Sequence, residues 1–311
     1  MALTAAALVA APLLSGCAGS GTDTSPSPSG TVPGGPTGST GGTTGTPGNI
    51  TGVPDATTGT PRHPAGAPPC PRSSSQVRTA VYFLHSGKLS PAPRSVSPPS
   101  TAASALRALL AGPDGYERAH GRSTAIPSGT TLRSIAVRAH VATVDLSGRY
   151  DDGGGSASMK ARLAQVVFTA TRFPGIDKVR FELDGTPVTA LGGEGVVLNH
   201  PVGRADFEDV TPAVLVESPL IGGTAHSPVR VWGTANTFEA VFRLRLTDAT
   251  GRVAADVRVK ATSGTGTRGT FDVTVPYRAA RTGAGTLTAY VNSPKDGAPS
   301  TVETVPLILT R

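Results

Sequence analysis

RLAQVVFTATRFPGIDKVRFELDG, residues Arg162–Gly185, carries a helix, its stop and a strand in immediate succession. Upstream and within it, Met159, Leu163, Val166, Val167 and Ala170 recur at helical spacing and define one apolar face. Ser156 or Ser158 opens this helix, and Phe173-Pro174-Gly175 stops it, because proline lacks the amide that a continuing helix needs. Lys178–Leu183 then reads as a strand, and Asp184-Gly185 as a tight turn returning the chain through Pro187–Leu191.

Towards the N-terminus, Val81-Tyr82-Phe83-Leu84 reads as a strand and the proline-rich run Pro91–Pro99 as a loop. Thr101 caps a helix over Ala102–Ala111 with Leu106, Leu109 and Leu110 on one side, and Gly112-Pro113 ends it. Thr131–Arg138 and Val141–Leu146 lie close enough to pair as a hairpin. The order over residues 76–204 is β-α-β-β-α-β-β, which predicts an α+β sandwich with two helices on one face of a mixed sheet. Beyond Ala213 the helical period disappears. Alternating runs recur at Val214–Val216, Val229–Thr234, Ala240–Thr247, Val253–Lys260, Thr270–Val275, Thr286–Val291 and Thr304–Leu309. Seven short strands at this spacing predict an immunoglobulin-like β-sandwich over residues 205–311. The only tryptophan, Trp232, is expected in the core or at a sheet edge rather than as a ligand platform.

The segment before both modules reads differently. An apolar run from Ala5 to Leu13 leads into Leu14-Ser15-Gly16-Cys17, the pattern of a bacterial lipobox, cut before a cysteine whose thiol carries diacylglycerol. Residues 1–16 are therefore expected to be a lipoprotein signal peptide, too short for a helix that stays in the membrane. No Lys or Arg precedes Cys17, so the natural start is expected upstream of Met1. Residues 17–75, dominated by Gly, Ser, Thr and Pro, have no apolar periodicity with which to offset the entropy of ordering. They read as a tether spanning about 40 Å as a coil and roughly 180 Å when drawn out. With Cys17 acylated, Cys70 has no partner in the chain and reads as an idle thiol.

The net charge of +7 is concentrated in the first module, which has 15 Lys and Arg against 9 Asp and Glu; residues 205–311 have 11 against 10. Such an excess draws anionic headgroups or wall polymers without a specific site, though a mildly basic solvated surface is the favoured reading. Nucleic acid is not an expected partner, because no basic helix with base-stacking aromatics is present.

No catalytic, cofactor or metal site is expected. His63, His85, His120, His140, His200 and His226 are scattered and none has a metal-ligand spacing. Gly264-Thr265-Gly266-Thr267-Arg268-Gly269 spells GxGxxG, but between two predicted strands with no helix to receive phosphates. Asp151-Asp152 before three glycines reads as a solvated loop in preference to a cation site. Arg204, Asp206, Glu208 and Asp209 concentrate charge just before the second module and are expected to set the angle between modules.

LLAGP (Leu109–Pro113), AIPSGTTL (Ala125–Leu132), ATVDLS (Ala142–Ser147) and the opening stretch together resemble a GerMN domain, named from a sporulation and germination protein. RADFEDVTPAVLVESP (Arg204–Pro219), GTANTFEA (Gly233–Ala240) and SGTGTRGTF (Ser263–Phe271) are similar to the immunoglobulin-like domain that follows GerMN in actinobacterial-type lipoproteins. The resemblance covers nearly all of residues 76–311. It implies an exported, lipid-anchored protein on the outer face of the cytoplasmic membrane, with no catalytic residues to carry over. The expected function is a non-enzymatic docking module for an envelope protein or cell-wall component. The alternatives are a self-assembling structural subunit, a small-molecule or wall-component sensor and, last, a peptidoglycan-active enzyme.

Overall fold

The computed structural model describes residues 76–97, 101–192, 195–293, 295 and 297–311; the lipobox, tether, Cys70 and His63 lie outside the described residues. The first strand, β1 (Val77–His85), is buried from Ala80 to Leu84 and forms a hairpin with β2 (Lys88–Val96). Their two-residue loop, Ser86-Gly87, has positive φ at both positions, the turn that matches the twist of paired strands. Here the expected loop over Pro91–Pro99 is corrected: the strand runs through Pro91 and Pro93 to Val96. Proline is compatible with an edge strand when its missing N–H faces away from the ladder. Pro91 and Pro93 lie opposite Tyr82 and Ala80, two residues apart and hence of one parity.

Helix α1 (Ala102–Leu110) is capped as expected, Thr101 and Ser104 forming a reciprocal capping box, and Gly112 follows it with φ +81°. The short α2 (Gly115–Ala119) and β3 (Arg122–Ser123) follow; β3 pairs only with Leu84 and His85 of β1. Next come β4 (Leu132–Arg138) and β5 (Val141–Leu146), a hairpin turned at Ala139-His140. Then α3 (Ser156–Ala170) crosses to β6 (Lys178–Leu183), which lies parallel to β5 and carries the short return β7 (Thr186–Pro187). A small ribbon, β8 (Ala190–Leu191) with β9 (Val196–Val197), completes the module.

The α+β class stands, but the strands do not form a single sheet. The β2-β1-β3 sheet and the mixed β4-β5-β6-β7 sheet are separate. Helix α3 is also buried more widely than one apolar face requires: every residue from Ala161 to Ala170 is inside, including Arg162, Gln165 and Thr169. The two facts share a cause. Because β3 is so short, the backbone of β1 at Tyr82 lacks a strand neighbour on that side. Helix α3 supplies the missing partners: the Tyr82 amide donates to Thr169 Oγ1 (3.2 Å), and Gln165 Nε2 donates to the Tyr82 carbonyl (3.0 Å). Gln165 Oε1 also accepts from the Ala125 amide at 2.9 Å. One turn earlier, Arg162 donates to the carbonyls of Ala125, Tyr150 and Gly153, tying the loops beside β4 and β5 to the helix.

A 3-10 segment, Arg204–Val210, leads into the second module: β10 (Val214–Ser218), β11 (Thr224–Ala225), β12 (Val229–Ala235), β13 (Val241–Thr247), β14 (Val253–Lys260), β15 (Gly269–Val275), β16 (Gly283–Asn292) and β17 (Pro299–Leu309). A three-stranded sheet, β10-β12-β15, faces a five-stranded sheet, β11-β17-β16-β13-β14. All seven expected strands are present, and the brief β11 is added. Between the sheets Phe242 meets Phe271 edge-on at 4.9 Å, with Leu244, Leu246, Leu287 and Leu307 around them. Among the described residues no helix is long and apolar enough to cross a membrane.

Replacing Gln165 with Leu fills the same space but strands the Tyr82 carbonyl and the Ala125 amide in the interior. The expected loss is about 2–4 kcal/mol of unfolding free energy, read from urea denaturation; a loss under about 1 kcal/mol would show that these groups find other partners.

Candidate functional site

Strand β10 belongs to both modules. Leu215 joins the core built on β1, α1 and α3, whereas Val214 and Val216 join the core of the sandwich. Glu217 has the same parity as Leu215 and is 2% exposed. The pairing of β10 with β12 slips between Val216 and Ser218, so Glu217 is the extra residue of a β-bulge. A bulge bends its strand and re-aims the side chain it carries. The opposing residue must be glycine here: a Cβ on Gly233 would lie 2.0 Å from the Leu215 carbonyl oxygen.

The buried carboxylate collects three partners from the first module and the linker. Arg172, two residues beyond α3, donates from Nη1 to Oε2 at 2.9 Å, and Arg204 Nη1 donates to Oε1 at 2.9 Å. The Tyr82 hydroxyl donates to Oε2. Burial, reinforced by the neighbouring Glu217 charge, pushes the Tyr82 phenol up, so it remains a donor. Arg204 uses its other donors on Thr171 Oγ1 (2.9 Å) and the Phe168 carbonyl (3.2 Å), and its guanidinium lies 4.7 Å from the centre of the Phe168 ring. Arg172 stacks on Trp232, 5.0 Å from the ring centre.

Two further contacts join the modules. Glu208 takes a bidentate pair from Arg268, both bonds 2.9 Å, and a 2.7 Å bond from Asn236 Nδ2. Burial alone would raise the Glu208 carboxyl; the hydrogen bonds from Arg268 and Asn236 hold it below the usual range. On β17, Glu303 accepts from Ser90 Oγ at 3.2 Å and lies 3.9 Å from Arg122, which also donates to the Thr304 carbonyl at 2.7 Å. Burial lifts the Glu303 carboxyl from its ordinary 4.5 to about 8, against the pull of Arg122 and Ser90. Burial likewise lowers Arg122, whose Nε has no hydrogen-bond partner among the described residues, and burial and then Arg122 lower His85.

Beside the Glu217 cluster opens a groove of about 930 Å³, lined by Arg172, Arg204 and Glu217 at the junction and by Arg230, Trp232 and Lys260 from the sandwich. Trp232 occupies neither of its expected places. Strand β12 is the central strand of its sheet, and Val229 and Val231 fix the inward parity, so Trp232 falls on the outer face. The indole therefore lines the groove. Arg230 is held by Asp272 across the sheet at 2.8 Å.

The charged run before the second module divides its work. Arg204 and Glu208 reach sandwich residues, Asp206 Oδ2 accepts the Gly203 amide at 2.7 Å, and Asp209 meets Lys160 at 2.9 Å. The GxGxxG run is a loop ahead of β15. A Cβ on Gly264 would sit 2.4 Å from the Thr237 carbonyl oxygen, and Gly269 is equally confined by Ser263, so close backbone approach requires these glycines. Asp151 accepts the Gly192 amide at 2.8 Å and Asp152 is exposed. His85, His120, His140, His200 and His226 stay apart, and among the described residues no three His, Cys, Asp or Glu side chains gather as metal ligands. Tyr82, Glu217, Arg122 and Glu303 were missed by the sequence reading. Glu303 had a signal, since it shares the inward parity of Val305, Leu307 and Leu309.

Glu217→Gln leaves the Tyr82 bond possible but takes away the charge that two guanidiniums share. We expect a loss of about 3 kcal/mol, the low end for a broken buried pair because both arginines keep some solvent access; calorimetry showing no destabilisation would contradict this. The Glu303 carboxyl has a folded pKa above its unfolded one. Its contribution to stability is therefore complete at acid pH and lost as pH rises from 4.5 through about 8. His85 acts in the opposite sense, so the variant isolates the effect: from about pH 5 to about pH 9, Tm of the native chain should fall more steeply than that of Glu303→Gln. Parallel curves would show that Glu303 is not a buried neutral acid.

Residues 80–189 match the family described as sporulation and spore germination, and residues 213–298 match the immunoglobulin-like domain of bacterial spore germination. Among solved structures, the tandem GerMN domains of the sporulation protein GerM from Bacillus subtilis align at 14% identity and TM-score 0.39, covering 65% of this chain and 62% of that one. The first GerMN domain of the same protein aligns at 19% identity and TM-score 0.34, covering 41% of this chain and 98% of that one. No curated protein matches the chain. The chain thus carries a GerMN-type domain followed by the immunoglobulin-like domain of bacterial spore germination.

Proposed function

We propose that this chain is a non-enzymatic docking lipoprotein of the cell envelope. Cys17 carries the lipid on the outer face of the cytoplasmic membrane, residues 17–75 form the tether, and the joined modules receive an envelope protein or wall component. The observation that supports docking is the fixed junction with a groove beside it. Glu217, the buried carboxylate of that groove, accepts from Arg172, Arg204 and Tyr82. A carboxylate held by three donors serves packing and charge balance. The groove thus offers a preformed surface rather than an acid–base pair.

In cells, a C-terminally tagged chain is expected in the membrane fraction, with at least one envelope partner enriched after crosslinking. Cys17→Ala should move it out of that fraction. An unchanged membrane fraction would refute the anchor, no enriched partner or wall component would refute docking, and clearing of purified wall in a zymogram would overturn the non-enzyme reading.

A further inference from the structure

We infer that the groove beside Trp232 binds an anionic glycan: a sugar polymer bearing carboxylate or phosphate groups. This rests on the docking reading and assigns its site and ligand chemistry. The lining holds four cations, Arg172, Arg204, Arg230 and Lys260, against two carboxylates, Glu217 and Asp272. Arg172 and Arg204 share the single charge of Glu217, which leaves one positive charge unbalanced there, and Arg230 is paired with Asp272. Two cations have donors to spare. Among the described residues Arg172 makes a single hydrogen bond, to Glu217, and is about a quarter exposed, while Lys260 is exposed and has no ion-pair partner. Anions entering the groove therefore meet uncommitted positive charge at both the junction and the sandwich.

The remaining lining favours a sugar over a protein. A protein interface is anchored by a cluster of apolar and aromatic side chains at its centre. Here the large apolar residues of the lining are Trp232 and Phe271, and Phe271 is 5% exposed, spent on the sandwich core. One accessible indole surrounded by arginine, lysine and the hydroxyls of Thr262 and Thr270 suits a ligand with flat C–H faces, many hydroxyls and acidic groups. The volume, about 930 Å³, is near the upper limit of single-ligand pockets and suits an extended occupant.

The test uses the purified full-length chain and sedimentable bacterial wall, intact or stripped of phosphodiester-linked polymers with hydrofluoric acid. Binding is expected to weaken with salt, and Lys260→Glu is expected to reduce affinity about tenfold. Trp232→Ala should reduce it at least as much, and Lys260→Arg should preserve it. Among the described residues the exposed Lys260 side chain makes no hydrogen bond or ion pair, so its variant should retain the native Tm and report binding alone. Binding lost on stripping identifies phosphate as the anion; binding kept identifies carboxylates of the glycan and its peptides. Native affinity in both Lys260→Glu and Trp232→Ala overturns the proposal. If the chain fails to bind wall yet still captures an envelope protein in cells, the glycan assignment falls and docking stands; if it captures neither, both fall.

Discussion

A carboxylate buried in the strand that two cores share is the constraint on which this molecule turns. Left alone, Glu217 would be far too costly to desolvate. It is tolerated because donors converge on it from the end of α3, from the linker and from β1. Each donor has to be brought there. The bulge turns Glu217 towards the first module, Gly233 lets the bulged backbone approach, and Arg204 bridges back to Phe168 and Tyr82. An apolar contact of the same area would be no less stable. It would not be directional, however: apolar surfaces can slide over one another, whereas two guanidiniums and a phenol on one carboxylate define a single placement.

The same logic runs inward along α3. Arg162, Gln165, Thr169 and, just beyond the helix, Arg172 succeed one another at helical spacing: Gln165 and Thr169 answer the Tyr82 backbone, Arg162 answers loop carbonyls, and Arg172 answers Glu217. The short β3 exposes one side of β1, and the prolines of β2 confine that strand to the other edge. Thus a helix that looks apolar in sequence becomes, in the fold, the supplier of hydrogen bonds to β1 and of one cation to the junction.

What the sequence disclosed follows from the range of the forces involved. Caps, turns and alternation are local, so helices α1 and α3, the α+β and β-sandwich classes and the seven longer strands of the second module could be read from neighbouring residues, whereas the short α2 could not. The partners of Glu217 and Glu303 are not local: Tyr82 lies 135 residues from Glu217, and Ser90 lies 213 from Glu303. Their pairing depends on how two modules meet, which no window of sequence contains. Two signals were present but weighed wrongly. The parity of β12 places Trp232 opposite to Val229 and Val231, and the two-residue spacing of Pro91 and Pro93 is compatible with an edge strand although proline clusters more often mark loops.

Arg172 connects the structural role of the junction with the surface it creates. Its guanidinium gives one hydrogen bond to Glu217 and lies over the ring of Trp232. The placement of the indole in the groove is thereby coupled to the placement of the two modules. A shift at the junction would draw Arg172 away from one of these partners, and the cationic, aromatic end of the groove would change with it. A surface set in this manner is preorganised: the cost of ordering Arg172 and Trp232 is met when the chain folds, so less remains to oppose binding. The buried carboxylate therefore does more than join two domains, since it fixes the side chains that any occupant of the groove would meet first.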